Sequence, residues 1–403
     1  MQAVNRLYGT FAPDHYTINL NLDRKNRSYI GTAQITGTAP TSSPIITLHS
    51  KQLQITKVLV NNQPATFSEG IDDELTITAR TASASPIIDI EFSGTITDAM
   101  HGIYPCYFEY DGVKKELLAT QFESHHAREV FPCVDEPEAK ATFDLTLVTE
   151  PEITVLGNMP VRSQEVTESG LTTVFETSPR MSTYLLAFVA GELIHKETTT
   201  KDGVLVRTYA TPAQKPGSLD FALDVAKRSI EFFNDYFGIP YPLPKSDHIA
   251  LPDFSSGAME NWGLITYRES CLLVDPENTS VPVKEFTATV VAHELSHQWF
   301  GNLVTMRWWD DLWLNESFAN LMEYIAIDAL FPEWNIWMSY ATNETLSAQR
   351  RDSLPGVQAV RTGVNHPDEI STLFDPSIVY AKGSKLLKML YNFIGEEAFT
   401  KGL

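Results

Sequence analysis

Two histidines and a glutamate within five residues are the part of the sequence best suited to catalysis. His293, Glu294 and His297 form the pattern H-E-x-x-H. Residues four apart in an α-helix lie one turn apart on the same face, so both imidazoles can bind one metal ion. Glu294 is rotated to the side, where it can accept a proton from a metal-bound water without binding the metal itself. The pattern therefore predicts a metal site with a general base.

A catalytic zinc site needs a third protein ligand and one open position. Glu316, separated from His297 by residues 298–315, is the expected third ligand, at the start of a second helical pattern. Glu323 lies two turns further along the same face and is expected to accept a hydrogen bond from a ligand histidine. Two imidazoles and one carboxylate favour Zn²⁺ over Mg²⁺ or Ca²⁺, so we expect one zinc ion per chain.

A zinc ion with an open position beside a carboxylate predicts hydrolysis. The ion lowers the pKa of its bound water towards ~7, and Glu294 takes the proton and returns it to a leaving nitrogen. A further group is expected to stabilise the developing oxyanion. Tyr380 is one candidate among 15 tyrosines, and spacing alone favours a core or rim tyrosine there.

The composition argues against nucleic acids and membranes as binding partners of the protein. The 403 residues include 30 Lys and Arg against 51 Asp and Glu, a net charge of −21, which is unfavourable for nucleic acid and for an anionic membrane surface. No stretch approaches the ~20 apolar residues of a membrane span. The N-terminus lacks the apolar region of a secretory signal. Three widely spaced cysteines indicate reduced thiols and not a disulfide framework, so the sequence predicts a cytoplasmic protein.

The first part of the chain has the pattern of β-strands. Tyr16, Ile18, Leu20 and Leu22 alternate with polar residues, which is typical of a half-buried strand. Similar short patterns follow, and Asn61-Asn62 is typical of a turn. We expect stacked antiparallel sheets over residues 1–193.

The pattern changes near residue 193, and residues 194–403 are expected to form a second, mostly helical domain. Ser218 is predicted to cap a helix that reaches Phe237 and ends at Gly238. Pro282 suits the first turn of the helix that carries H-E-x-x-H, and Gly301-Asn302 suits its end. The predicted fold class is therefore α+β.

Four further segments carry a resemblance to a known family. They are Gly257-Ala258-Met259-Glu260-Asn261-Trp262-Gly263, Gln121-Phe122-Glu123, Phe131-Pro132-Cys133-Val134-Asp135-Glu136-Pro137, and Tyr380 with Lys382-Gly383. Together with the H-E-x-x-H pattern and its distant glutamate, they resemble the aminopeptidase N family of gluzincin metallopeptidases, with bacterial cytosolic members the most similar. The resemblance implies an N-terminal β-sandwich or saddle domain followed by a thermolysin-like catalytic domain.

The resemblance also implies roles for individual residues. His293, His297 and Glu316 match the zinc ligands, Glu294 matches the general base, and Tyr380 matches the tyrosine that stabilises the tetrahedral intermediate. Substrate contacts are implied for Gln121, Glu123, Gly257, Ala258, Met259, Glu260 and Asn261. Among these, the two glutamates and the glutamine would hold the free α-amine, which is mostly cationic near neutral pH. The expected partners are therefore peptides with a free N-terminus.

The chain departs from the family pattern in two places. Ser317 stands where many relatives carry glycine, and we expect a mild effect because the first turn of a helix tolerates serine. Relatives also continue into a large C-terminal helical region, so the chain is expected to be truncated within its catalytic domain at Leu403.

Three alternatives remain open. A bifunctional epoxide hydrolase and aminopeptidase of the leukotriene A4 hydrolase type carries glycine at the position of Ala258, which counts against it. A catalytically silent scaffold of the same fold is expected to have lost a ligand or the base, whereas all four residues are present. A binding module with a structural zinc needs a fourth protein ligand, and none is evident. The side-chain preference and the oligomeric state are not predicted.

Overall fold

The computed structural model describes residues 3–40 and 43–403. The chain folds into two units. The first unit ends at Leu193 and also includes Asn261–Leu264, and the second comprises Ile194–Glu260 and Ile265–Leu403. The short excursion Asn261–Leu264 lies inside the range expected to belong wholly to the second domain, and no pattern in the sequence indicates it.

The first unit consists mainly of β-strands, with two 3₁₀ turns at Ala127–Glu129 and Thr183–Leu185. The strands are β1 (Ala12–Asp23), β2 (Ser28–Thr38), β3 (Ile45–His49), β4 (Gln54–Val60), β5 (Gln63–Pro64), β6 (Thr66–Glu69), β7 (Glu74–Thr78), β8 (Ile87–Thr95), β9 (Gly102–Tyr110), β10 (Val113–Gln121), β11 (Thr142–Thr149), β12 (Thr154–Gly157), β13 (Val161–Thr167), β14 (Gly170–Phe175) and β15 (Phe188–Gly191).

The largest sheet among the described residues has eight strands in the order β13-β14-β11-β1-β2-β8-β4-β5. The predicted alternation in β1 is confirmed, because Tyr16, Ile18, Leu20 and Leu22 are all buried. The expected antiparallel pairing holds for the other strand pairs of this sheet, but one pair is parallel. Strand β1 pairs with β11 in parallel, with Tyr16 opposite Phe143, since β11 returns to β1 only after a long intervening segment.

Two smaller sheets also belong to the first unit, in the orders β12-β15-β10-β9 and β3-β7-β6. The predicted turn at Asn61-Asn62 is confirmed: both residues have positive φ, 52° and 62°, and they join β4 to β5. Asparagine tolerates this left-handed conformation better than most residues do. All three cysteines of the chain are buried and free.

The second unit combines a sheet with α-helices. Its elements are β16 (Ile194–Thr199), β17 (Leu205–Ala210), β18 (Lys245–Leu251), β19 (Ala258–Met259), β20 (Leu264–Arg268), α1 (Asp220–Phe237), α2 (Glu269–Leu272), α3 (Val281–Ser296), α4 (Leu312–Leu330), α5 (Ile336–Tyr340), α6 (Leu346–Asp352), α7 (Gly383–Ile394) and α8 (Glu396–Gly402). Strand β20 takes its first residue from the excursion. The sheet order is β16-β17-β18-β20-β19, so β19 forms an edge.

The helix predicted after Ser218 is α1. Its C-terminal end agrees with the prediction, whereas its N-terminal cap does not. Gly238 follows it with a φ of 63°, the left-handed C-terminal residue that glycine favours. Ser218 is not its cap. A 3₁₀ turn over Pro216–Leu219 precedes the helix, and the Ser218 hydroxyl donates to the Lys215 carbonyl at 2.7 Å within that turn.

Helices α3 and α4 form the core of the second unit. Helix α3 begins at Val281 with Pro282 in its first turn, as predicted, and ends at Ser296, earlier than Gly301. Every residue of this helix from Val291 to Ser296 is buried. Trp299 follows, and its ring lies 5.7 Å from that of Phe233 on α1. In the described part of the chain, no helix is both long and apolar enough to span a membrane.

The close packing of Tyr29 against Gly94 can be tested by substitution, and it reports on the pairing of β2 with β8 in the eight-stranded sheet. Gly94 lies opposite Tyr29 in the β2–β8 ladder, and a Cβ at Gly94 would overlap the Tyr29 hydroxyl and ring. Gly94→Ala is therefore expected to lower the free energy of unfolding by about 2 kcal/mol, measured by urea denaturation. Gly9→Ala is the control, because no atom lies within 4 Å of its Cβ position. Equal effects of the two substitutions would contradict this account.

Candidate metal centre

The two histidines and the distant glutamate converge in the second unit. His293 lies in the last turn of α3, His297 follows the helix with helical φ and ψ of −58° and −24°, and Glu316 lies in α4. The Nε2 atoms of the two histidines are 3.0 Å apart. The Oε2 atom of Glu316 lies 3.2 Å from Nε2 of His293 and 3.3 Å from Nε2 of His297.

The other ring nitrogen of each histidine faces an acceptor. Nδ1 of His293 lies 2.7 Å from Oε2 of Glu323, the contact expected from the sequence. Nδ1 of His297 lies 2.6 Å from Oδ1 of Asn315 and 3.1 Å from the carbonyl of Phe300. These partners assign the proton of each neutral ring to Nδ1. Both Nε2 atoms then present lone pairs to the centre of the cluster.

This donor set fits a zinc ion. Three electron-pair donors, two Nε2 atoms and one carboxylate oxygen, face one another within 3.3 Å. They repel unless positive charge lies between them. Ligand atoms at ~2.0–2.2 Å from tetrahedral zinc are themselves about 3.3 Å apart. Two imidazoles and a carboxylate suit zinc better than Mg²⁺ or Ca²⁺, which prefer oxygen ligands.

The same cluster changes the proton affinities of its members. Burial lowers the pKa of His297, but the negative charges of Glu260 and Glu316 outweigh burial and raise it to about 9. Burial raises the pKa of Glu316, and hydrogen bonds from both imidazoles outweigh this and lower it well below its usual value. The protein's own charges therefore attract positive charge to this point, whether protons or a metal cation.

Glu294 lies beside the cluster and takes no part in the contacts among His293, His297 and Glu316. Its side chain is buried, and burial together with the charges of Glu260 and Glu316 raises its pKa to about 8, against the opposing effect of the two histidines. Its Oε2 atom has no hydrogen-bond partner among the described residues. A buried carboxylate oxygen without a protein partner is costly, which favours interaction with a group from outside the protein.

Asn315 connects the histidine cluster to Glu260. Its Nδ2 donates to Oε1 of Glu260 at 3.3 Å, while its Oδ1 accepts from His297. A Cβ at Gly301, whose φ is 134°, would overlap Asn315 Oδ1, so a larger residue there would displace the amide. Sequence reasoning missed Asn315, although it stands directly before Glu316. An amide next to a predicted ligand could have suggested this role.

Glu260 is held close to the predicted base. Its backbone carbonyl accepts from Gln298 Nε2 at 3.1 Å and from Asn302 Nδ2 at 2.9 Å. One side-chain oxygen of Glu260, one of Glu294 and a ring nitrogen of His297 lie within 4.8 Å of one another. Two buried carboxyl groups this close together repel each other when both are ionised, so a cation beside them is favourable.

Tyr380 lies in a π-helical turn over Pro376–Lys382. Its ring centroid is 5.9 Å from that of His293, and its side chain is half-buried. π-Helical turns are uncommon and are found frequently at functional sites. The structure thus brings Tyr380 beside a predicted metal ligand, which spacing alone did not indicate.

Of the predicted substrate-binding residues, Gly257, Ala258 and Met259 lie at the edge of the five-stranded sheet. The carbonyl of Gly257 accepts from the amide of Arg268 at 2.9 Å, and Ala258–Met259 form β19, which pairs only with β20 among the described strands. Gln121, Glu123 and Asn261 belong instead to the first unit. Gln121 and Asn261 are buried and Glu123 is half-buried, and their role in substrate binding stays a prediction.

A second group of metal-ligand types, His101, His126 and Glu129, lies in the first unit. Its contacts differ from those of the centre described above. The two Nδ1 atoms lie 2.7 and 3.1 Å from separate oxygens of Glu129, and Lys51 Nζ lies 3.3 Å from one of them. These are contacts of N–H donors with one carboxylate, and the group needs no further cation.

Comparison with known proteins shows matches along most of the chain. The Peptidase M1 N-terminal domain matches residues 12–185, and the Peptidase family M1 domain matches residues 221–403. Aminopeptidase N of Lactococcus lactis subsp. cremoris is 53% identical over 100% of this chain and 47% of its own length. Aminopeptidase N of Lactobacillus helveticus is 50% identical over the same shares.

A more distant relative matches over nearly the same range. The puromycin-sensitive aminopeptidase of Caenorhabditis elegans is 43% identical over 98% of this chain and 43% of its own length. The chain thus spans about half the length of the curated relatives that it matches. Both domain matches, the whole-chain identity and the convergent His293, His297 and Glu316 assign one family: the chain belongs to peptidase family M1.

Proposed function

We propose that this chain carries the active site of a zinc-dependent aminopeptidase, which removes the N-terminal residue from peptides. The observation that supports this most directly is the convergence of three electron-pair donors from His293, His297 and Glu316 beside the unpartnered carboxylate oxygen of Glu294. The relatives named as aminopeptidases support the same reaction class.

His293, His297 and Glu316 would hold the zinc ion, with Glu323 and Asn315 fixing the imidazole orientation through Nδ1. A zinc ion bound there supplies Lewis acidity, which makes water a stronger acid and polarises a carbonyl group. Glu323 also holds negative charge next to the His293 ring, which increases its basicity as a ligand.

Glu294 is the proposed general base. Its carboxylate takes a proton from the attacking water and passes it to the nitrogen of the leaving peptide. Positive charge at the ligand cluster lowers the pKa of Glu294, since the histidine charges already act in that direction. A divalent cation held there favours the ionised carboxylate, which is the form that accepts a proton.

Tyr380 is the proposed donor to the oxyanion that develops on the scissile carbonyl. A phenol hydroxyl held in place before the reaction stabilises this charge without reorganisation. Because the charge exists only in the transition state, the hydroxyl contributes to kcat more than to substrate binding.

Glu260 is proposed to hold the substrate's α-ammonium group through a charge-assisted hydrogen bond. Its carboxylate lies next to that of Glu294 and is buried, so an unpaired cation would be attracted strongly to this point. The backbone of Gly257 and Ala258, at the start of edge strand β19, would pair with an extended peptide as an added strand. An amine fixed this close to the metal centre sets cleavage one residue from the N-terminus.

Cleavage of a substrate with a blocked amine tests the proposed function. An aminoacyl chromogenic amide is expected to be cut by the complete zinc-loaded protein, whereas its N-acetyl analogue should be cut at least about 100-fold more slowly, because one charge-assisted contact is lost. Both are followed by absorbance. Glu260→Gln is expected to reduce this preference. Equal cleavage of the two substrates would show that no amine is recognised.

Substitution of the base separates chemistry from metal binding. Glu294→Gln is expected to retain zinc, because Glu294 is not a ligand, and to lower kcat by about 10³-fold. Zinc content is measured by atomic absorption alongside turnover. Glu285→Gln on the same helix is the matched control and should retain both. Near-normal turnover of Glu294→Gln would remove this residue from the mechanism.

Zinc binding is expected to release protons at pH 7.5. The pKa of about 9 for His297 lies above this pH, so the ring holds a proton that must leave before Nε2 can bind the metal. Zinc affinity should accordingly fall as the pH falls. Calorimetric titration of the metal-stripped protein in two buffers of different ionisation enthalpy measures the release. The same apparent enthalpy in both buffers would show that no proton leaves.

A further inference from the structure

Ser317 joins the ligand helix to the turn that carries Tyr380. It follows Glu316 in α4, which begins at Leu312. The expectation that Ser317 lies in the first turn of the helix is therefore wrong, because the serine lies beyond that turn. Its side chain is completely buried. Its hydroxyl donates to the backbone carbonyl of Val379 at 2.5 Å, although Val379 is 62 residues away in the sequence.

The bonded carbonyl belongs to the peptide unit that begins Tyr380. The carbonyl oxygen of Val379 and the amide nitrogen of Tyr380 lie in one plane, so a bond to this oxygen orients the backbone from which the Tyr380 side chain extends. Ile378 and Ala381 on either side are buried. This holds the turn in place while the Tyr380 ring lies half-exposed near His293.

Gly383 leaves the space that the Ser317 hydroxyl occupies. A Cβ at Gly383 would overlap Ser317 Oγ and lie 2.7 Å from Ser317 Cβ, whereas its next neighbour, Val360 Cγ1, would be 3.5 Å away. The φ of Gly383 is an ordinary −63°, so the backbone conformation does not require glycine. The serine is what excludes a larger residue at this position.

We propose that Ser317 is a positioning residue for Tyr380. One turn of helix α4 then carries both Glu316, which would bind the metal, and the hydroxyl that sets the backbone of the oxyanion donor. The distance between metal and donor hydroxyl is thereby fixed through a single rigid element. This inference rests on the proposed function, because it assigns Ser317 an effect that is exerted through Tyr380.

The test is a double-mutant cycle in the complete zinc-loaded protein. Ser317→Ala is expected to lower kcat by about tenfold, as a displaced catalytic group does, with little change in KM and no change in zinc content. In a Tyr380→Phe background, the same substitution should change kcat by less than about twofold, because no hydroxyl remains to be positioned. Ser229→Ala, a fully buried helical serine of α1, is the matched control.

A second pair of variants tests the packing relation without removing Tyr380. Gly383→Ala is expected to lower kcat, since its methyl group would displace the Ser317 hydroxyl from Val379. In a Ser317→Gly background, the same alanine should cost no further activity, because both overlapping atoms are gone. Thermal unfolding of every variant is measured in parallel, so that a loss of kcat can be separated from a loss of fold.

The outcomes distinguish this inference from the proposed function. If Ser317→Ala lowers kcat equally with and without the Tyr380 hydroxyl, or if Gly383→Ala costs the same in both backgrounds, the positioning role is wrong and the aminopeptidase proposal stands. If Tyr380→Phe leaves kcat unchanged, both the oxyanion role and the role of Ser317 are wrong. If the wild-type protein binds zinc without cutting the free-amine substrate, the proposed function itself fails.

Discussion

Mutual repulsion among three electron-pair donors is the constraint around which the second unit is organised. Nε2 of His293, Nε2 of His297 and Oε2 of Glu316 lie within 3.3 Å of one another, so their electron pairs repel and the arrangement needs stabilisation from elsewhere. Tight packing of α3 against α4 supplies part of the stabilisation that holds these three atoms close together. The buried side chains of the two helices hold the histidine and glutamate side chains close together. Positive charge between these side chains replaces their repulsion with attraction.

The polar groups around these three atoms are linked by hydrogen bonds that fix the orientation of both imidazoles. Glu323 fixes one imidazole, and Asn315 fixes the other while it also contacts Glu260. Each Nδ1 atom therefore faces a hydrogen-bond acceptor, and each Nε2 atom faces the other members of the cluster. Because Asn315, Glu316 and Ser317 are consecutive, a single helical turn reaches Glu260, the ligand cluster and the Tyr380 turn. A rotation of α4 would disturb all three regions together, which favours a helix buried on nearly all sides.

The residues of the candidate metal centre could be predicted to lie together where their spacing is local or belongs to a motif. The i,i+4 spacing places His293 and His297 on one face, and helical periodicity places Glu323 near Glu316. The contacts of Asn315 with Glu260 and of Ser317 with Val379 were not predicted, because each joins residues far apart in the sequence. The helix cap at Ser218 was wrong for a local reason: a 3₁₀ turn beginning at Pro216 competes with the cap. Periodicity also cannot show that β11 returns parallel to β1, since it records burial and not pairing partner.

The parallel pairing of β1 with β11 has a consequence for synthesis on the ribosome. Strand β1 lies near the start of the chain, and its partner begins at Thr142. The β2 side of β1 can be hydrogen-bonded early, through a hairpin of adjacent strands. Its other edge stays open until more than a hundred further residues have emerged. At ~5–20 residues per second this edge stays unpaired for many seconds, which exposes the backbone groups of Thr17 to Asn21 to pairing with other chains.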